Sequence, residues 1–390
     1  MSSAPGELAM SRWGGWVDRA LAWRLAWRDR LLASPAFQRR AAAFALTRPT
    51  ARRHARELFD LVAGFVYSQV LLACVQLHLF EMLAEGPQSA ERLAARLALP
   101  VDAARRLLDA AVSLRLVEHR GEGRYGLGEL GAPMVGNAAV AAMVQHHAAL
   151  YADLADPVAL LRASARERRG NALARYWAYD EAQASSDAAA ERVGAYSALM
   201  AASQPLVADE ILDAYALGRH RCLLDVGGGD GRFLATVAER VPALRLMLFD
   251  LPAVAERARA RFAAAGIAAR ASAFGGSFLA DPLPQGADVA SLVRVVHDHD
   301  DANAMAILRA VHAALPAGGA LLLAEPMAGT AGAQAMGDAY FGFYLLAMGR
   351  GRPRRADVLG AMLRAAGFEA VRLVPTRMPL QTQLLVARRA

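Results

Sequence analysis

The chain has 390 residues, 55% hydrophobic and 21% charged, so it can bury a large core and is not a disordered segment. Two cysteines, Cys74 and Cys222, exclude a disulfide framework or a cysteine-built metal centre and point to a reducing compartment. Of the net charge of +7, residues 1–60 supply six, from eleven arginines against five acids.

That basic arm also carries four of the five tryptophans. Trp13, Trp16, Ala20, Trp23 and Trp27 repeat at helical spacing, and Arg12, Arg19, Arg24, Arg28 and Arg30 border the stripe. Indoles flanked by guanidinium groups suit a helix lying at a membrane surface. They equally suit an arm packed on the next domain or subunit. The opening residues lack the basic-then-apolar order of a secretory leader. Leu61 to Phe80 is uncharged and long enough to span a bilayer, but Tyr67, Ser68, Gln69, Gln76 and His78 favour a buried or subunit-interface helix.

Residues 61–204 read as a second region. Two short amphipathic helices, from Ser89 and from Pro100, precede strands at Leu116–Arg120 and Arg124–Leu127 around a Gly-Glu-Gly turn. This is a winged-helix pattern. Its second helix offers only Arg105 and Arg106 toward bases, so dimerisation is favoured over DNA binding and no nucleic acid partner is expected.

From 205 to 390 short apolar runs at Cys222, Leu244, Val289 and Ala320 alternate with helical patterns, the mark of a doubly wound parallel sheet. Runs at Ala370 and Gln383 add a terminal antiparallel hairpin. In Leu-Leu-Asp225-Val-Gly227-Gly-Gly229-Asp-Gly231 a strand enters a glycine turn before a helix, and Asp250 follows at the end of the next strand. Such a turn lets backbone approach a ligand, and an acid at that separation can hold ribose hydroxyls. A dinucleotide fingerprint would have glycine where Arg232 stands, and Asp225 suits a cationic ligand better than a pyrophosphate. S-adenosylmethionine is thereby favoured over a nicotinamide cofactor, with a purely structural glycine turn as the alternative. After the Val289 run comes Arg294-Val-Val-His297-Asp298-His299, which puts a histidine where open α/β sheets bind ligands. A neutral imidazole there is a fitting base for a hydroxyl proton. No metal is expected, since His-x-His is a weak ligand set.

LLDVGGGDG, FDLP, GGSF at 275–278, RVVHDHDD and MLRAAGFEAV at 362–371 together resemble the S-adenosylmethionine-dependent O-methyltransferases of the plant caffeate type and their bacterial relatives. The arm and the stretch from Thr47 to Glu81 are most similar to the bacterial hydroxyneurosporene (demethylspheroidene) group, which methylates a tertiary hydroxyl of acyclic carotenoids. The resemblance implies a Rossmann-like class I methyltransferase domain after a helical winged-helix dimerisation domain. It further implies a homodimer, a hydrophobic hydroxycarotenoid acceptor, and a cytoplasmic enzyme with peripheral membrane contact through residues 1–30. Rivals are a phenolic or polyketide acceptor, a winged-helix DNA-binding regulator, and a nicotinamide oxidoreductase.

Carried over by position, Gly227 and Gly229 would cradle the methionine part of the cofactor beside Asp225, and Asp250 would hold the ribose. Leu251, Ser277 and Phe278 would flank the adenine, with Arg294 near the cofactor tail. His297 would be the base, steered by Glu325, and Met200 and Ser203 would lie near the cofactor. Acceptor walls would come from Leu130–Ala152, Tyr176–Tyr179 and Tyr340–Tyr344. Three positions depart from the family: Gly276 replaces an acid, His299 a tryptophan, and Gly349–Arg354 lacks a second glutamate.

Overall fold

The computed structural model describes the backbone of residues 5–176, 204 and 207–390, with side chains except at 5–17 and 176. Two compact units divide the chain, Met1–Ala132 and Pro133–Ala390.

The first unit opens with helices α1 (Pro5–Ala33) and α2 (Pro35–Ala43), the second capped by the Ser34 hydroxyl accepting from the Phe37 amide. Helix α3 (Arg48–Gln76) is long and apolar enough to cross a membrane. Leu58, Phe59, Leu61, Val62 and Phe65 along it are 61–82% exposed, and only Cys74 and Val75 at its end are buried. Among the described residues the apolar flank from Leu58 to Phe65 is not covered, while burial begins at Cys74 and continues through Leu79 and Phe80.

Helix α4 (Leu79–Ala84) and strand β1 (Gln88–Ser89) lead into α5 (Ala90–Leu97) and α6 (Val101–Ser113). The Ser89 hydroxyl caps α5 through the Arg92 amide, and Ala98 in the left-handed region ends it before Pro100. Leu93, Leu97, Ala104 and Leu108 are buried between these helices. Strands β2 (Val117–His119) and β3 (Arg124–Leu127) form the expected antiparallel ribbon, with β1 on its far side.

The second unit starts with α7 (Ala138–Asp153) and builds a seven-stranded sheet. Its strands are β4 (Cys222–Val226), β5 (Arg245–Asp250), β6 (Ala271–Gly275), β7 (Val289–Val293), β8 (Ala320–Glu325), β9 (Phe368–Val374) and β10 (Gln383–Arg389). The order is β6-β5-β4-β7-β8-β10-β9; the first five are parallel, and β10 and β9 complete the edge antiparallel. Alternate residues feed two cores. Leu223, Leu246 and Leu248 meet Phe233, Val237 and Phe262 on one face, while Leu224, Leu292 and Leu323 meet Ile307, Leu308 and Leu363 on the other.

Strand β6, Ala-Ser-Ala-Phe-Gly, was invisible as an apolar run because it is an edge strand, buried only at Ala271 and Ala273. The chain order 6-5-4-7-8 reverses direction between β4 and β7, and the two turns of chemical interest follow those two strands.

Candidate active site

Asp225, Gly227, Gly229, Asp250, Leu251, Ser277, Phe278, Arg294, His297 and Glu325 all sit at or just beyond the carboxyl ends of β4 to β8. The sheet brings together what the sequence spread over a hundred positions.

On the cofactor side, Asp225 is 1% exposed, and its Oδ1 accepts a 2.6 Å hydrogen bond from the Ser291 hydroxyl on neighbouring β7. Its Oδ2 is buried and has no hydrogen-bond partner among the described residues. Burial pushes the carboxyl up to about 7, opposed by the Ser291 bond and reinforced by Asp250. A buried carboxylate oxygen left unsatisfied beside an open glycine turn fits a ligand that brings positive charge. Gly227 has φ +71°, and a Cβ there would lie 2.8 Å from Val295 and 3.7 Å from Phe278. A side chain there would be strained and crowded, and the ring of Phe278 lies beside the turn.

Asp250 closes β5 and is held by backbone. The amides of Gly229 and Leu251 donate to its two oxygens at 2.8 and 2.7 Å. Burial raises its pKa, against the pull of those amides. The glycine turn and Asp250 are therefore tied directly to each other. Position 276 has a steric reason to be glycine: a Cβ would lie 2.7 Å from the Phe249 ring. Asp281 brings an acid back to that place, its carboxylate accepting from the Ser277 amide at 2.8 Å. Arg294 leaves β7 with φ +57°, a strained conformation for a non-glycine residue, and its amide donates to Ala324 at 2.8 Å. Residues holding S-adenosylmethionine would thus be Asp225, Gly227, Gly229, Asp250, Leu251, Ser277, Phe278 and Arg294.

Just after β7, His297 occupies a single 3₁₀ turn, Val296–Asp298, and is 6% exposed. Its backbone amide donates to Oε2 of the fully buried Glu325 at 3.1 Å, and its Nδ1 lies 3.4 Å from the same oxygen. Its Nε2 lies 3.1 Å from Asp298 Oδ1. Burial disfavours the imidazolium, but the carboxylates of Asp298 and Glu325 outweigh it and raise the pKa to about 10. The sequence led us to expect a neutral imidazole near neutral pH. Two flanking carboxylates instead favour its protonated form.

Tyr340 and Phe341 close this side. The Phe341 ring is 6.0 Å from His297 and 5.0 Å from Tyr340, where a π-helical turn (Ala335–Tyr340) passes into a helix. From α7, His146 and His147 reach the hydroxyls of Tyr344 and Tyr340, each at 2.8 Å. Burial lowers both histidine pKa values, His146 to about 4, so these pairs are uncharged. Met200, Ser203 and the Trp177–Tyr179 part of the expected wall lie outside the described residues.

Sequence reasoning missed Ser291, Asp298 and the pairing of His146 and His147 with Tyr344 and Tyr340. Ser291 was signalled as the one hydroxyl in the apolar strand Val-Ala-Ser-Leu-Val, and Asp298 as the acid beside His297. The His-Tyr pairs join positions almost two hundred apart and left no local sign.

Residues 151–369 match the sequence model of an O-methyltransferase domain, and residues 59–137 that of an O-methyltransferase dimerisation domain. The demethylspheroidene O-methyltransferase of Cereibacter sphaeroides is 43% identical, over 92% of this chain and 94% of its own. That of Rhodobacter capsulatus is 42% identical, over 87% and 83%. Among solved structures, a methyltransferase of calicheamicin biosynthesis with bound S-adenosylhomocysteine superposes with TM-score 0.71 at 26% identity, covering 87% of this chain and 98% of that one. The chain thus belongs to the S-adenosylmethionine-dependent O-methyltransferase family, dimerisation domain included.

Proposed function

We propose that the chain methylates the tertiary hydroxyl of an acyclic hydroxycarotenoid, with His297 as the base. The identity of 43% to a demethylspheroidene O-methyltransferase, running through both domains, is the observation that supports this acceptor. When bound, S-adenosylmethionine supplies a methyl group on a sulfonium sulfur. Asp225 offers that cation an unpaired carboxylate oxygen, and Asp250 fixes the nucleoside end. His297 takes the hydroxyl proton as the oxygen gains its methyl group, so the departing proton ends on the imidazole. Glu325 holds the ring at Nδ1 and stabilises the imidazolium formed. Phe341, Tyr340 and the uncharged His-Tyr pairs keep that side poor in water and charge, which suits a polyene. Alignment of two bound reactants accounts for much of the rate, since a tertiary alcohol is a weak acid.

A panel assay with labelled cofactor tests the acceptor. A hydroxylated acyclic carotene should take up one methyl per hydroxyl, and a higher kcat/KM for a flavonoid or anthraquinone would overturn the assignment.

The arm gives a place to such an insoluble substrate. Trp23 and Trp27 of α1 are 70% and 54% exposed, among Arg19, Arg24, Arg28 and Arg30. We place this stripe on the cytoplasmic surface of an anionic membrane. Removal of residues 1–30 should weaken flotation with anionic liposomes while sparing turnover of a detergent-dispersed acceptor. Equal flotation of both forms would refute the placement.

A further inference from the structure

The stretch Gly349–Arg354, where the second glutamate of the family pattern is missing, lies against the His297 turn. The Arg352 amide donates to the His297 carbonyl at 2.9 Å. Gly351, at φ +79°, passes so close that a Cβ would overlap that same carbonyl oxygen. The Arg354 side chain is 0% exposed. Its Nη1 donates to the Val296 carbonyl at 2.9 Å and its Nη2 to the His299 carbonyl at 2.7 Å. One planar fork therefore grips the backbone on both sides of His297. Nε and Nη2 also reach Asp301 Oδ1, at 2.9 and 2.8 Å, where the helix Asp301–Ala314 begins. The Arg354 carbonyl in turn accepts from the Ala328 amide at 3.0 Å, three residues beyond Glu325.

A single 3₁₀ turn cannot hold itself, because it fixes several dihedrals for one or two weak hydrogen bonds. A buried cation is also a poor choice for stability alone, where an apolar side chain would serve as well. We infer that Arg354 is a positioning residue for methyl transfer: it clamps the Val296–His299 backbone so that the imidazole of His297 stays registered against Glu325. The inference rests on His297 being the base, and its test separates the two.

The groups facing His297 are Asp298 at Nε2, Glu325 at Nδ1, the Phe341 ring, and His299 two residues along. When the clamp is loosened, the imidazole drifts from both carboxylates and its pKa falls toward the ordinary histidine value.

The experiment uses the full-length enzyme with Arg354→Met, Arg354→Lys, Asp301→Asn and His297→Ala. Cofactor affinity is read by calorimetry and kcat across pH. For Arg354→Met we expect kcat to fall by about 100-fold, the scale of an ångström-sized misplacement, with unchanged S-adenosylmethionine affinity. The rising limb of its kcat–pH profile should move to lower pH. Arg354→Lys keeps the charge but not the fork and should recover only part of kcat. Asp301→Asn, at an exposed position, should cost up to about 5-fold in kcat and shift the limb the same way. Unchanged kcat and pH profile in Arg354→Met would overturn the inference, as would a loss of cofactor affinity matching the loss of kcat. Should Arg354→Met not fold, an unshifted limb in Asp301→Asn overturns it. Full turnover by His297→Ala would remove the base itself; an inactive His297→Ala beside normal Arg354 variants would remove only the clamp.

Discussion

The turn after β4 and the turn after β7 leave adjacent parallel strands at the same end of the sheet, yet they are held by opposite means. The first is held locally: glycine conformations, a serine on the adjacent strand, and backbone amides that bind Asp250 to Gly229 and Leu251. The second is held from a distance. His297 keeps its place through Glu325, 28 residues on, and through Arg352 and Arg354, more than 50 residues on. The difference assigns them different failures. Damage to the first should weaken cofactor binding, whereas damage to the second should slow the transfer and leave binding alone.

The sharpest way to break that division is His297→Gln. It should lower kcat by about 100- to 10,000-fold, the range of a general base, with cofactor affinity intact by calorimetry. An equal loss of affinity would merge the two turns into one unit. On the other side, Asp250→Ala removes two charge-assisted bonds. S-adenosylmethionine affinity should fall by about 10- to 100-fold, with little change in kcat at saturating cofactor.

Acidity distinguishes the turns further, and the signs follow from the two raised pKa values. The raised Asp225 carboxyl is ionised only above about 7, so affinity for a cationic ligand should be full at higher pH and decline as pH falls through about 7. Asp225→Asn should bind weakly at every pH and lose that dependence. His297, raised to about 10, is mostly imidazolium at neutral pH, so the base form and kcat/KM should climb as pH rises above 7. A flat profile between 7 and 9 would detach the rate from this histidine. The smallest effect is expected from Ser291→Ala. Losing its hydrogen bond leaves Asp225 harder to ionise, and the midpoint of the affinity curve should move upward by less than about one pH unit.

The same contrast explains what could be read from residues alone. Strand β4 with its glycines and Asp250 was legible because turn chemistry and strand period act within a few residues. The alternation of apolar strands and helices fixed the parallel sheet, and only the half-exposed β6 escaped it. The place of His297 just after β7 was legible, but its flanking by two carboxylates was not, since the fold gathers them. Nor was the purpose of Arg354: in the run Gly-Arg-Gly-Arg-Pro-Arg-Arg nothing marks which guanidinium is sequestered and which are solvated.

The bare flank of α3 ties folding to company. Leu58 through Phe65 run along a segment that the matched dimerisation domain enters at residue 59. A lone copy leaves these side chains in water, and a second copy that covers them adds stability by mass action. The thermal midpoint should therefore climb with protein concentration, so that scarcity in the cell would itself shorten the life of the enzyme.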